Sequence, residues 1–147
     1  MTLPFESETF DCVSSVGVLE HVRETGGNEV GSMREIHRVL VKGGLFICYH
    51  FPNRHSYIEK LNARIPSQHH HTYKYTRQDI EKFCDETGFD LLESRRYGFI
   101  PRNSWNRLPR FVRHSRFISK GVNSLDAILG SVFSRFCQNH YFVACKR

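Results

Sequence analysis

The sequence predicts an α/β fold, a mostly parallel sheet covered by helices, and three observations carry that prediction. Short apolar runs of strand length alternate with stretches whose apolar residues recur at helical spacing. Glycine and proline stand at the junctions, where an element has to stop. The chain has 147 residues, 39% of them hydrophobic and 12 of them Phe, enough for one packed domain without disulfide or metal staples.

Residues 9–16 hold Cys12 beside Val13 in a short apolar run, which predicts a strand buried on both faces and ending near Ser15. A helical turn is expected over 16–22, and Gly26-Gly27 breaks the chain after it. From Asn28, a good N-cap, Val30, Met33, Ile36 and Leu40 recur at helical spacing until Lys42-Gly43-Gly44 stops the helix. Residues 45–51 form a second apolar run, closed by Pro52, which cannot donate to a ladder. A polar, His-bearing stretch follows from Arg54 to Tyr75. Thr76 and Asp79 then make a capping box for a helix carrying Ile80, Phe83 and Cys84 and ending at Gly88. Residues 90–97 and 141–145 are strand-like.

Between those last two strands lies an unusual segment, 101–139. Arg102, Arg107, Arg110, Arg113, Arg116, Lys120 and Arg135 face a single acid, Asp126, so the net charge of +6 belongs wholly to this segment. Leu125, Ile128, Leu129, Val132, Phe133 and Phe136 predict a helix capped by Asn123 or Ser124, with Asp126 in its first turn and its apolar stripe against the domain. Trp105, Leu108, Phe111 and Val112 lie among the arginines, as in a basic amphipathic segment. Such charge favours anionic partners; with no recognised nucleic-acid motif around it, nucleic acid is not expected.

Cys12, Cys48, Cys84, Cys137 and Cys145 form no C-x-x-C pair and read as small buried hydrophobes in a reducing compartment. The longest apolar run, over 44–51, is far below the ~20 residues a membrane span needs, and nothing at the N-terminus resembles a signal peptide. A cytoplasmic protein is expected.

Taken in order, residues 3–11, Val18-Leu-Glu-His-Val22, residues 33–40, Lys42-Gly-Gly44, residues 71–76 and Glu86-Thr-Gly-Phe89 closely resemble the second half of the class I S-adenosylmethionine-dependent methyltransferases. The resemblance spans residues 3–99 and the final strand. It implies a partial Rossmann-like sheet, strands four to seven of the family's seven with the last antiparallel, helices around it and a helical insertion before the last strand. The expected organisation is one partial methyltransferase domain over 1–147 with 101–139 as a basic insertion, a candidate lid on the acceptor site. The resemblance enters just before the fourth strand, so a fragment without the family's glycine-rich cofactor loop and ribose-binding acid is expected; Gly26 to Gly31 does not replace that loop, having no strand just before it.

The resemblance assigns site residues one by one. Leu3 matches a position beside the adenine of S-adenosylmethionine, and Ser15, Val16 and Gly17 match the end of the fourth strand, beside the methionyl part and the methyl group; the alternative for these is a plain strand end with a glycine turn. Glu20 and His21 follow where some O-methyltransferases of the family place a general base or a metal ligand. Imidazole suits the first task because its pKa lies near working pH. Metal-using relatives carry a further acid three positions before the Glu, and Gly17 stands there, so no metal is expected and a structural role for the pair stays open. Of His69, His70 and His71, at most two could face one ion along an extended segment. His71 and Tyr73 are candidates for lining a substrate pocket, against a solvated loop, and Arg110 and Arg113 for an anionic acceptor, against a solvated cover.

The function expected is methyl transfer from S-adenosylmethionine to a small-molecule or lipid-like acceptor. Two alternatives remain: a non-catalytic methyltransferase-like module that pairs the exposed edge of its fourth strand with another chain, and an anionic-surface binding protein that contacts a membrane peripherally through 101–118.

Overall fold

A computed structural model of the protein describes residues 2–65, 70–101 and 114–147. Its centre is a four-stranded sheet made of β1 (Phe10–Val16), β2 (Leu40–Pro52), β3 (Phe89–Tyr97) and β4 (Asn139–Lys146), in the order β1-β2-β4-β3. β1 and β2 are parallel, whereas β4 runs antiparallel to both β2 and β3. Three strands therefore point one way and the last is inserted against them.

Helices α1 (Glu29–Val39) and α3 (Arg77–Thr87) pack together on one face of this sheet. Met33 and Ile36 from α1 and Ile80 and Cys84 from α3 meet Phe46, Cys48, Phe89, Phe142 and Ala144 from the strands. Phe46 is fully buried and lies edge-on to Phe142 with ring centroids 5.7 Å apart. Burial of a side chain of this size stabilises by about 1.5–3 kcal/mol. On the other face Tyr49 is 40% exposed and Leu92 60%.

Both helix starts follow their caps. Asn28 accepts from the Gly31 N–H, and Thr76 and Asp79 form the reciprocal box. Gly88, in the left-handed region at φ 81, ends α3. α1 departs from expectation at its other end, passing at Leu40 straight into an unusually long β2 instead of stopping at Gly43-Gly44. Gly43, at φ 77, sits inside that strand, and a Cβ on the neighbouring Gly44 would come within 3.2 Å of the Asp11 carbonyl oxygen of β1.

Three further differences have tertiary causes. β1 is an edge strand among the described residues, with Cys12 and Val16 exposed, so its apolar composition is not matched by burial on both faces. The polar stretch after Asn53 contains a short helix, α2 (Tyr57–Asn62), capped by Ser56. The insertion helix α4 (Arg116–Val132) starts a full two turns before the predicted cap, at Ser115. Asp126 is therefore mid-helix, buried, and accepts a 2.6 Å bond from the Ile100 N–H of the chain leaving β3. Anchoring that side turns the opposite one outward: Ile128 and Val132 are 62% and 69% exposed, so the apolar stripe does not face the domain. No helix among the described residues is long and apolar enough to cross a membrane.

Candidate active site

β1 ends at Val16, where the chain must reverse over the carboxyl end of the sheet. Gly17 makes the turn at φ 65, a left-handed backbone that a side chain would strain, and its N–H donates to the Tyr49 carbonyl of β2 at 3.2 Å. A 3-10 helix (Leu19–Thr25) follows and ends at Gly26. It buries Leu19 and Val22 against α1 and the core, and that anchoring carries Glu20 inward with them.

The Glu20 side chain is 2% exposed, its Oε2 is buried without a hydrogen-bond partner among the described residues, and burial raises its pKa. Its Oε1 lies 4.0 Å from the Nε2 of His21. The other ring nitrogen of His21, Nδ1, meets Glu24 Oε2 at 3.0 Å. A carboxylate only accepts, so Nδ1 donates in that bond, and Nε2 is the ring nitrogen on the Glu20 side.

His71 arrives from the segment before α3, its ring 5.7 Å from that of His21. Glu59 of α2 holds it at two points, accepting from the backbone N–H at 2.9 Å and pairing with Nδ1 at 2.9 Å. The bond to Glu59 raises the His71 pKa against the effect of burial. Burial pushes the Glu59 carboxyl up, but the His71 bonds and Lys74, 3.7 Å away, outweigh it and the Glu59 pKa falls. Glu20, His21 and His71 each bring one ligand-capable atom within 4.8 Å of the others, two imidazoles and a carboxylate that could hold a cation.

Leu3 donates its N–H to Glu35 at 3.0 Å and lines, with Ser15, Val13 and Leu19, a cavity of about 190 Å³ beside β1. Val16 and Gly17 are exposed and do not line it. Tyr73 is half-buried beneath the Arg23 guanidinium, 5.1 Å from its ring centroid. Arg110, Arg113 and His69 lie outside the described residues, as does most of the 101–118 membrane-contact segment. Sequence reasoning missed Glu24 and Glu59. Ser56 three residues before Glu59 was a readable helix-start signal, whereas the meeting of Glu59 with His71 has no local signature.

A sheet whose last strand is inserted antiparallel between two parallel neighbours, with a glycine turn and ionisable groups past the carboxyl end of β1, defines a methyltransferase fold of class I. Comparison with known proteins agrees. The family model described as a methyltransferase domain matches residues 1–48. The chain superposes on the methyltransferase solved with the Haloferax volcanii Trm112 methyltransferase activator at a TM-score of 0.56, with 15% identity over 98% of this chain and 56% of that one. For Haemonchus contortus phosphoethanolamine N-methyltransferase 2, solved with phosphomonomethylethanolamine and S-adenosylhomocysteine, the TM-score is 0.54, with 18% identity over 97% of this chain and 35% of that one. The human protein named "Probable tRNA methyltransferase 9B" is 36% identical over 70 residues, 45% of this chain and 15% of its own length. The chain thus has the fold of the class I S-adenosylmethionine-dependent methyltransferases, its residues 1–48 match the methyltransferase-domain model, and it spans 56% or less of the length of these relatives.

Proposed function

We propose that this chain forms the acceptor-side part of a methyltransferase that transfers the methyl group of S-adenosylmethionine to a small-molecule or lipid-like acceptor. The observation that carries the proposal is the gathering of Glu20, His21 and His71 immediately past the Gly17 turn. Leu3, Ser15, Val16 and Gly17 form the wall along the cofactor. His21, oriented by Glu24, takes the proton of an acceptor that must ionise, with Nε2 as the accepting atom. In-line attack on the sulfonium methyl needs mainly positioning, so this base adds to a reaction that the held geometry already favours. His71 and Tyr73 border the acceptor, and the insertion over 101–139, with Arg110 and Arg113, covers it. Metal has no part in the reaction as proposed.

Calorimetry with S-adenosylmethionine, followed by transfer of labelled methyl to a panel of oxygen, nitrogen and carbon nucleophiles, tests this. Expected are saturable cofactor binding weakened by Gly17→Val, turnover lost in His21→Ala, and no effect of a chelator. Absence of cofactor binding by the full chain overturns the assignment, and loss of turnover on chelation moves His21 from base to metal ligand. A second reading, pairing of the β1 edge with another chain, is favoured by the exposure of that strand; it predicts self-association or partner capture abolished by a proline placed within β1.

A further inference from the structure

At the far end of the sheet from β1 is a cavity of about 630 Å³ between β3, β4 and α4. Arg96 of β3 and His140 of β4, both in its lining, stand directly opposite each other in the strand register. Two buried polar atoms without any hydrogen-bond partner among the described residues occur together here, Arg96 Nε and His140 Nδ1. An orphaned buried donor or acceptor is costly, and two in one cavity call for a shared ligand.

Cations outnumber acids around them, Asp126 and Glu81 being the acids in the two linings. Arg77 and Arg96 also line an adjoining cavity with Arg135 and His55. Arg77 is paired with Glu81 at 2.8 Å, Arg95 with Glu93, and the Asp126 carboxylate accepts from Ile100. Arg96 and Arg135 have no carboxylate within ion-pairing distance among the described residues. The cation field also shows at His55, whose pKa is depressed by burial and then by Arg135 and Arg96 among its neighbours.

His140 adds a second requirement. Its Nε2 lies 3.1 Å from the Tyr75 carbonyl, which can only accept, so Nε2 carries the proton and Nδ1 of the neutral ring is a bare lone pair. The ligand must therefore offer negative oxygen to Arg96 and Arg135 and a hydroxyl hydrogen to His140. Sulfate and carboxylate supply only the first. Hydrogen phosphate supplies both, as does a phosphomonoester in its singly protonated form.

We propose that the cavity between β3, β4 and α4, together with the adjoining cavity that shares Arg96 with it, is a phosphate-binding site in which Arg96 and Arg135 hold the anionic oxygens and a P–OH donates to His140. Nothing covalent happens there. The site is separate from the methyl-transfer residues at the end of β1, and its existence does not depend on their function.

The test is calorimetric titration of the full chain with inorganic phosphate and, separately, sulfate near pH 7 at constant ionic strength. Expected is saturable phosphate binding, with sulfate at least about fivefold weaker for want of the hydroxyl. Arg96→Gln should weaken phosphate binding about tenfold or more and Arg135→Gln severalfold. Arg135 is exposed, so its variant separates ligand loss from misfolding. Glycerol phosphate titrated near pH 6 beside inorganic phosphate distinguishes the two sources: with the same dependence on Arg96, tighter binding of the ester assigns the site to a phosphomonoester, and weaker binding assigns it to free phosphate. No saturable phosphate binding, as when Arg96 Nε closes directly onto His140 Nδ1, overturns the proposal. So does equal affinity for sulfate, or phosphate binding indifferent to both arginine variants.

Discussion

Burial of His140 predicts a specific acid sensitivity of the fold. The side chain is fully buried, and burial first, with Arg96 and His55 adding to it against the bond to Tyr75, lowers its pKa to about 4 from an ordinary value of 6.5. A histidine depressed in the folded state stabilises the fold fully above its unfolded pKa, and that contribution is lost as pH falls toward the folded one. With these two values the loss between about pH 7 and pH 4.5 is roughly 2 kcal/mol, a large share of a typical domain's stability. His140→Gln keeps a donor for the Tyr75 carbonyl and cannot titrate. Urea unfolding followed by circular dichroism, in phosphate-free buffer at both pH values, should show the wild-type losing about 2 kcal/mol more than the variant. Equal pH dependence in the two proteins would refute the assignment of a buried, neutral His140, because other acid-sensitive groups are common to both.

Two more outcomes are expected. Glu59→Gln should drop the His71 pKa toward its ordinary value in an NMR titration: the pair stabilises the fold most between the ordinary Glu and His values, losing the Glu59 contribution as pH falls through its lowered pKa and the His71 contribution as pH rises through its raised one, and an unmoved His71 pKa would disprove the coupling. Asn53→Ala should cost about 2–4 kcal/mol in denaturant unfolding, because its amide donates at 2.8 Å to both the Arg135 and Cys137 carbonyls and accepts from the His55 N–H; a loss below about 1 kcal/mol would mean that water replaces those bonds.

Most of the fold was legible because its signals are local. The Asn28 cap, the Thr76–Asp79 box and the glycine after α3 each act within a few residues, and the structure keeps all three. The antiparallel last strand was expected only from the family resemblance, since periodicity identifies strands and not their neighbours. The methyltransferase-like fold was equally legible, through an ordered set of short motifs of which none is specific alone.

What the sequence determined by itself is the identity and order of the four strands and of α1, α3 and α4, though not α2, together with Gly17, Glu20 and His21 as a compact run, since three near neighbours in the chain stay near in any fold. Tertiary structure decided what touches what. It carried His71 and Glu59 across to that run, left β1 at an edge, and turned the apolar side of α4 outward because Asp126 found a backbone N–H at the end of β3. It also set Arg96 opposite His140, 44 positions apart in the chain, through strand register alone. Such pairings are fixed by the packing of the whole sheet, a long-range balance that no short window of sequence contains.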